Sequence, residues 1–220
     1  MMFCRRLIPL VLLLALGMVP CAEAGQPHAR PGWMVGIGLG IGDGEFTDSE
    51  GTTATADNGL TPQIRFGRML GRHWQIGVEY QGWLTEVGAT LEDTTETGIA
   101  GLKLRRSLQN WLLAATWYPG DVNSGWGGFY LKAGAGYALG GTALVLLEEN
   151  PDTGEIEQEH GERVDESGVG LVFGLGYEFR VTSTFAAGLA ITANSQDIGE
   201  YFIDEASFGS AALVANWYFD

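Results

Sequence analysis

Phe208-Gly-Ser-Ala-Ala-Leu-Val-Ala-Asn-Trp-Tyr-Phe219 decides how the rest of the chain is read. Taken two residues at a time, Ala211, Leu213, Ala215, Trp217 and Phe219 share one face, and Ser210, Ala212, Val214, Asn216 and Tyr218 share the other. The first face is wholly apolar and ends in two aromatic rings; the second is mixed. Side chains of a strand alternate between two sides, so this stretch reads as a strand whose faces meet different surroundings. A soluble sandwich can show that pattern. At the end of a glycine-rich, strand-patterned chain it is expected to be the closing strand of a barrel whose outer face meets hydrocarbon.

The same alternation recurs upstream. Trp33, Val35, Ile37, Leu39 and Ile41 oppose Met34, Gly36, Gly38, Gly40 and Gly42. Glycine on the inner face suits a narrow barrel, where inward side chains compete for space. A second strand over 61–70 sets Ile64 and Phe66 against Gln63, Arg65 and Gly67; a third sets Trp74, Ile76, Val78 and Tyr80 against Gln75, Gly77, Glu79 and Gln81. The fourth, within 103–118, has two competing faces, Trp111/Leu113/Ala115/Trp117 and Leu108/Leu112/Ala114, of which the tryptophan face is expected to look outward. Phe129 to Leu139, Val169 to Phe179 and Phe185 to Ile191 give the fifth, sixth and seventh.

The connections alternate in length. Gly71-Arg72-His73, Pro119 to Gly125 and Val181 to Thr184 are short turns, while 43–59, 85–101, 141–167 and 194–206 are long and polar. These four segments hold 22 of the 27 acidic residues and one basic residue, Arg163, in a chain of net charge −15. The fold class expected is all-β: an eight-stranded antiparallel transmembrane β-barrel with short periplasmic turns and four long acidic extracellular loops. Lipid offers no hydrogen bonds to open strand edges, so a membrane sheet must close. A ten-residue strand tilted by roughly 40° spans the ~25 Å apolar band of such barrels.

An even strand count puts both ends of the barrel domain beside the short turns, and aromatics gather there. Trp33, Trp74, Trp117, Trp126, Phe129, Phe179, Phe185, Trp217 and Phe219 are the expected membrane girdle, since such rings favour the lipid–water interface. Ahead of the barrel, Arg5-Arg6, the apolar run Leu7 to Val19 and Ala22-Glu23-Ala24 read as a signal peptide over 1–24, leaving 25–220 as the barrel domain. The apolar run is short for a membrane helix. Cys21 raises a lipoprotein alternative, but Met18-Val19-Pro20 is a poor context for lipidation. Cleavage before Gly25 would remove both cysteines, Cys4 and Cys21, and with them any disulfide or thiol chemistry.

Leu112-Leu113-Ala114-Ala115-Thr116-Trp117-Tyr118-Pro119-Gly120-Asp121 followed by Phe129-Tyr130-Leu131-Lys132-Ala133-Gly134-Ala135-Gly136-Tyr137 resembles the strand 4–turn–strand 5 hairpin of the OmpW/OmpA/OmpX-like eight-stranded outer-membrane β-barrels. Gly174-Leu175-Gly176-Tyr177-Glu178-Phe179 is similar to their sixth strand, and Phe219 to their C-terminal insertion signal, although Asp220 follows it. The resemblance implies residence in the outer membrane of a Gram-negative bacterium and, as partners, outer-membrane lipids and lipopolysaccharide together with the barrel-insertion machinery acting through the C-terminal strand. It also implies, through OmpW-like proteins, a narrow channel for small, often hydrophobic solutes as the alternative to a structural or surface-interaction role.

Two barrel subfamilies of this size modify lipid A, so an enzyme is considered. His28, His73 and His160 are the histidines, and none sits beside a serine on a strand as a hydrolase would need. No catalytic residue, metal site or cofactor is assigned. A soluble periplasmic binding barrel is a further alternative. Inward positions carry Arg65, Glu79, Lys132 and Glu178, and buried charges must be paired, so these four are expected to form a lumen ion network, either a rigid plug or a gate. The acidic loops are read first as a solvated surface, then as sites for divalent cations bridging to lipopolysaccharide phosphates, then as a contact for a basic partner. Asp152-Thr-Gly-Glu155 is not an EF-hand loop, and nucleic acid is excluded as a partner at this charge. Ala143 to Leu147 is expected to extend the fifth strand beyond the membrane or to cover the barrel mouth.

Overall fold

The computed structural model describes residues 32–47, 50–90, 99–121, 124–149, 156–198 and 205–220. The expected signal peptide over 1–24, the lead with His28 and the Asp152 to Glu155 segment lie outside the described residues. Eight strands follow one another: β1 (Trp33–Thr47), β2 (Thr53–Leu70), β3 (Trp74–Thr90), β4 (Ile99–Trp117), β5 (Phe129–Glu149), β6 (Ile156–Arg180), β7 (Phe185–Asp197) and β8 (Glu205–Phe219). Each pairs antiparallel with its sequence neighbours, and β1 closes on β8 from Trp33↔Phe219 to Thr47↔Glu205 without a shift of register. Closure leaves no strand edge within the barrel wall.

The alternation of the sequence sets which side each residue takes. Ile37, Leu39, Ile41, Ile64, Phe66, Leu113, Leu171, Phe173 and Leu213 are exposed on the outer wall, and Leu213 is 70% exposed. Met34, Leu112, Tyr130, Val172 and Tyr218 are buried on the inner one. β4 takes the expected register: Trp111 and Leu113 look out while Leu108, Leu112 and Ala114 are buried. A water-soluble barrel would reverse this economy, with its large apolar side chains inside. Here they face out, as hydrocarbon demands.

The strands run further than the apolar alternation does. The expected first loop, 43–59, is mostly ladder: β1 continues to Thr47 and β2 begins at Thr53, with a bulge between Gly42 and Gly44. Likewise β3 reaches Thr90 and β4 starts at Ile99 within the expected loop 85–101. β5 reaches Glu149 and β6 starts at Ile156 within 141–167, so Ala143 to Leu147 does extend the fifth strand. The fourth expected loop shortens less, with β7 ending at Asp197 and β8 starting at Glu205. Backbone pairing propagates up a hairpin whatever its side chains are. In these outer stretches the side chains facing away from the lumen are no longer uniformly apolar, so the sequence alternation fades while hydrogen bonding, and the burial of Phe46, Ala56, Ala206 and Phe208, continue.

Candidate functional site

The lumen is built from the inward residues of all eight strands. At the turn-side end Tyr218, Met34 and Ala186 form one buried cluster, and Arg180 lies 4.0 Å over the Tyr218 ring. Above it Met69, Tyr118, Tyr130, Ala190 and Val214 form a second. At the opposite end Phe46, Trp83, Leu108, Ile198 and Phe208 cap the lumen, with Arg106 stacked 4.7 Å from the Phe46 ring. The cap depends on glycine. A Cβ on Gly59 would come within 2.2 Å of the Trp83 indole nitrogen, and one on Gly44 within 2.8 Å of its ring. Trp83 therefore occupies the room two glycines leave, and its Nε1 donates to Gly42 O at 2.9 Å.

Between these apolar ends lie the four charged residues named from the sequence. All are buried: Arg65, Glu79, Lys132 and Glu178. They fall into two groups. Lys132 Nζ donates to Glu79 Oε1, forming an ion pair in which both side chains are almost fully buried. Arg65 is the looser partner of Glu178, at 3.8 Å, and the two are joined through Asn216. Arg65 Nη2 donates to Asn216 Oδ1 at 2.8 Å, and Asn216 Nδ2 donates to Glu178 Oε1 at 2.9 Å. Tyr118 and Tyr218 donate to the same carboxylate at 3.1 and 2.5 Å. Glu178 is thus held by three neutral donors as well as a cation. Burying a carboxylate is costly unless its oxygens are hydrogen-bonded, and these donors supply those bonds.

A neutral hydrogen-bonded chain continues from the Lys132–Glu79 pair towards the cap. Gln81 Nε2 donates to Glu79 Oε1 at 2.7 Å, and Gln81 Oε1 accepts from Asn194 Nδ2 at 2.9 Å. Asn110 Nδ2 donates to Asn194 Oδ1 at 3.1 Å, and Gln196 Nε2 donates to Asn110 Oδ1 at 3.0 Å. Thr192 and Ser210 share a hydroxyl contact of 2.7 Å beside it. Sequence reading named the charges because a charge inside an apolar alternation stands out. It put Gln81, Tyr130, Asn216 and Tyr218 on the inner faces of their strands without giving them a role, and passed over Asn110, Asn194, Gln196, Trp83 and Tyr118. The signal for them was position: each lies inward, out of phase with the outward apolar residues.

The nine aromatics named from the sequence lie on or beside the turn-side ends of their strands. Trp33 pairs with Phe219 across the β1–β8 closure and stacks on Phe66 at 5.3 Å. Trp74 stacks on Trp117 at 6.3 Å, Phe185 meets Trp217 at 5.1 Å and Phe179 meets Tyr177 at 4.7 Å. Trp126, in the turn before β5, is exposed and contacts Phe129 edge-on at 6.1 Å. An open apolar depression of about 580 Å³, between Trp74, Trp117, Leu131 and Phe173, belongs to this outer wall. His73 sits in the β2–β3 turn with Nδ1 2.8 Å from Tyr118 O, and His160 on the outer part of β6. Among the described residues no group of three or more His, Cys, Asp or Glu is placed to hold a metal ion.

A domain model described as "Outer membrane protein beta-barrel domain" matches residues 10–219. No curated protein matches the chain. Among solved structures, Ail, the attachment invasion locus protein of Yersinia pestis in complex with the heparin analogue sucrose octasulfate, is 10% identical at a TM-score of 0.51, covering 86% of this chain and 99% of that one. The outer membrane protein OprG of Pseudomonas aeruginosa is 13% identical at a TM-score of 0.42, covering 89% and 99%. Neisserial surface protein A is 16% identical at 0.42, covering 85% and 97%. The likeness to Ail is one of fold.

Proposed function

The chain belongs to the outer membrane protein beta-barrel domain family, and from that premise we propose that it is a plugged, non-enzymatic barrel whose working surface is its acidic outer end. Such a protein sits in the outer membrane of a Gram-negative bacterium, among its lipids and lipopolysaccharide. One observation carries the proposal: the lumen is filled along its length by side chains that hold one another. Trp83, Tyr118, Tyr130 and Tyr218 are all 1% exposed or less, and the four charges between them are paired or hydrogen-bonded. An eight-stranded barrel is just wide enough for side chains to fill. Residues 1–24 act as the signal peptide in this reading, and the aromatic band from Trp33 to Phe219 anchors the turn-side end in the interface. β8 is the strand presented to the insertion machinery.

The second reading is a gated passage for small solutes. Arg65 favours it, because its Nη1 is buried without a hydrogen-bond partner and its carboxylate contact is loose. Planar-bilayer recording separates the two. The plugged barrel gives no single-channel steps in the wild type. Steps in the wild type that change on Glu79→Gln would establish the passage instead. The external acidic residues act in the first reading as a hydrated, repulsive surface, with divalent cations and basic molecules as the partners their charge would attract.

A further inference from the structure

Arg68 is a cation on the outside of the apolar wall. It shares the outward face of β2 with Ile64, Phe66 and Leu70, and its partners on the flanking strands are Trp33 and Ile76. The side chain is exposed, and its guanidinium lies over the Trp33 ring at 5.3 Å. Among the described residues that guanidinium has neither a hydrogen bond nor an ion pair. Asp220, one residue past the Phe219 that pairs with Trp33, forms no ion pair with it. An arginine facing lipid is costly at the midplane and cheap near the interface. Arg68 stands near the turn-side end of β2, level with the aromatic band, where a long side chain can carry its charge to the headgroups. A guanidinium fork matches a phosphate with two parallel hydrogen bonds. The short turns mark the periplasmic end of such a barrel, so the phosphates within reach belong to the inner leaflet.

The apolar depression on the outer wall begins beside this cation. One row of cross-strand partners runs Arg68↔Ile76↔Ala115↔Ala133↔Phe173↔Ala193. From Ala115 onward each step lies further from the turn-side end of its strand, so the row climbs into the hydrocarbon. The depression follows it, from Trp74 and Trp117 at the strand ends past Ala115 and Ala133 to Phe173 and Ala193. A headgroup at Arg68 would therefore have an apolar path leading inward from it. With no carboxylate paired to the guanidinium, a lipid of net negative charge is favoured over a zwitterion that brings its own cation. We propose that Arg68 holds the phosphate of an anionic glycerophospholipid of the inner leaflet, with Trp33 behind the guanidinium and one acyl chain lying in the depression. The proposal rests on the barrel spanning the membrane and not on the plug, so channel recording and lipid binding fail separately.

Native mass spectrometry of the full chain in detergent, titrated with phosphatidylglycerol or phosphatidylcholine of the same acyl chains, counts bound lipids one at a time. The first lipid bound should favour phosphatidylglycerol, and Arg68→Gln should weaken it by about fivefold or more. Arg68→Lys, which keeps the charge without the fork, should fall between the two and keeps the test open should the glutamine variant fold poorly. Arg72→Gln, in the β2–β3 turn, makes the same change in net charge and should leave the affinity as it was. Ala133→Phe fills the depression from an outward position and should weaken the lipid with Arg68 intact. Glycerol phosphate, which lacks the chains, should not displace it. Unchanged affinity in Arg68→Gln or in Ala133→Phe, an equal loss in Arg72→Gln, displacement by glycerol phosphate, or no preference over phosphatidylcholine would each overturn the proposal.

Discussion

Lys132→Met is the most direct test of how the lumen is held together. Methionine fills nearly the same volume, so the substitution removes a charge with little cavity. It leaves Glu79, 2% exposed, with Gln81 Nε2 at 2.7 Å as its remaining short hydrogen bond and no cation bonded to it. Breaking one side of a buried ion pair costs about 3–5 kcal/mol, because the surviving charge stays desolvated. The double variant Lys132→Met/Glu79→Gln removes that charge as well. The carbonyl oxygen of the new amide can still accept from Gln81 Nε2, so the double variant should lie within about 1 kcal/mol of the wild type. The second substitution should therefore recover about 2–4 kcal/mol of the loss. Urea unfolding of bilayer-inserted protein, followed by tryptophan fluorescence, measures both variants against the wild type. If Lys132→Met costs less than about 1 kcal/mol, or if the double variant is worse than the single, the lumen is wetter than the structure implies and the plug argument fails.

The remaining predictions use the same unfolding assay unless stated. Tyr218→Phe deletes a 2.5 Å donor to Glu178 and should cost about 1.5–3 kcal/mol, the range for hydrogen bonds to charged groups. Gly36→Ala would bring a Cβ within 2.3 Å of Asn216 Oδ1, the atom that receives Arg65, and should destabilise clearly. Gly209→Ala, whose Cβ would meet nothing nearer than Thr192 O at 4.0 Å, should be near neutral and serves as its control. Leu213→Arg, at an outward position, should cost about 2–4 kcal/mol of folding into bilayers if it lies near the midplane, whereas Leu213→Phe should cost little. Lipids brominated near the headgroup should quench Trp74, Trp117 and Trp217 on the outer wall and leave Trp83, fully buried in the lumen, unquenched; equal quenching would remove the distinction between wall and lumen.

How legible the fold was depends on the solvent each stretch meets. Residues 33–42, 129–139 and 169–179 separate hydrocarbon from a crowded lumen, so every second residue is constrained and the period of two is plain. β4 was ambiguous because Leu108, Leu112 and Ala114 are apolar although they point inward: Leu108 belongs to the cap beside Trp83, and a lumen end needs apolar packing too. The outer hairpins were unreadable for the opposite reason. Along 156–168 no run of alternating apolar residues marks the strand, so its pairing with β5 left no sign in the sequence. The ion network was half legible. Four charges inside apolar alternations could be named, but how they divide could not. Lys132 takes Glu79 and Arg65 takes Glu178 through Asn216, and that choice is set by strand stagger across the lumen.

That division bears on what a closed lumen is for. Glu79 and Lys132 sit on β3 and β5, and Arg65, Glu178 and Asn216 on β2, β6 and β8, so the two groups tie together five strands that are not all neighbours. A cross-link through the lumen opposes shear between opposite walls, which backbone pairing around the circumference resists only through its register. The wall most extended beyond the rim is β3 to β6, and three of those four strands carry a member of the network. A long external sheet transmits any load on its edge to the strands that continue it into the membrane. Fixing those strands from inside would hold the outer parts of β3 to β6 against the rest of the barrel. On this argument the charges in the lumen serve the surface: weakening them should loosen hydrogen-exchange protection along β5 and β6 outside the membrane before it loosens β7 and β8. Uniform loosening of all eight strands in Lys132→Met would show that the network stabilises the barrel without steering its outer sheet.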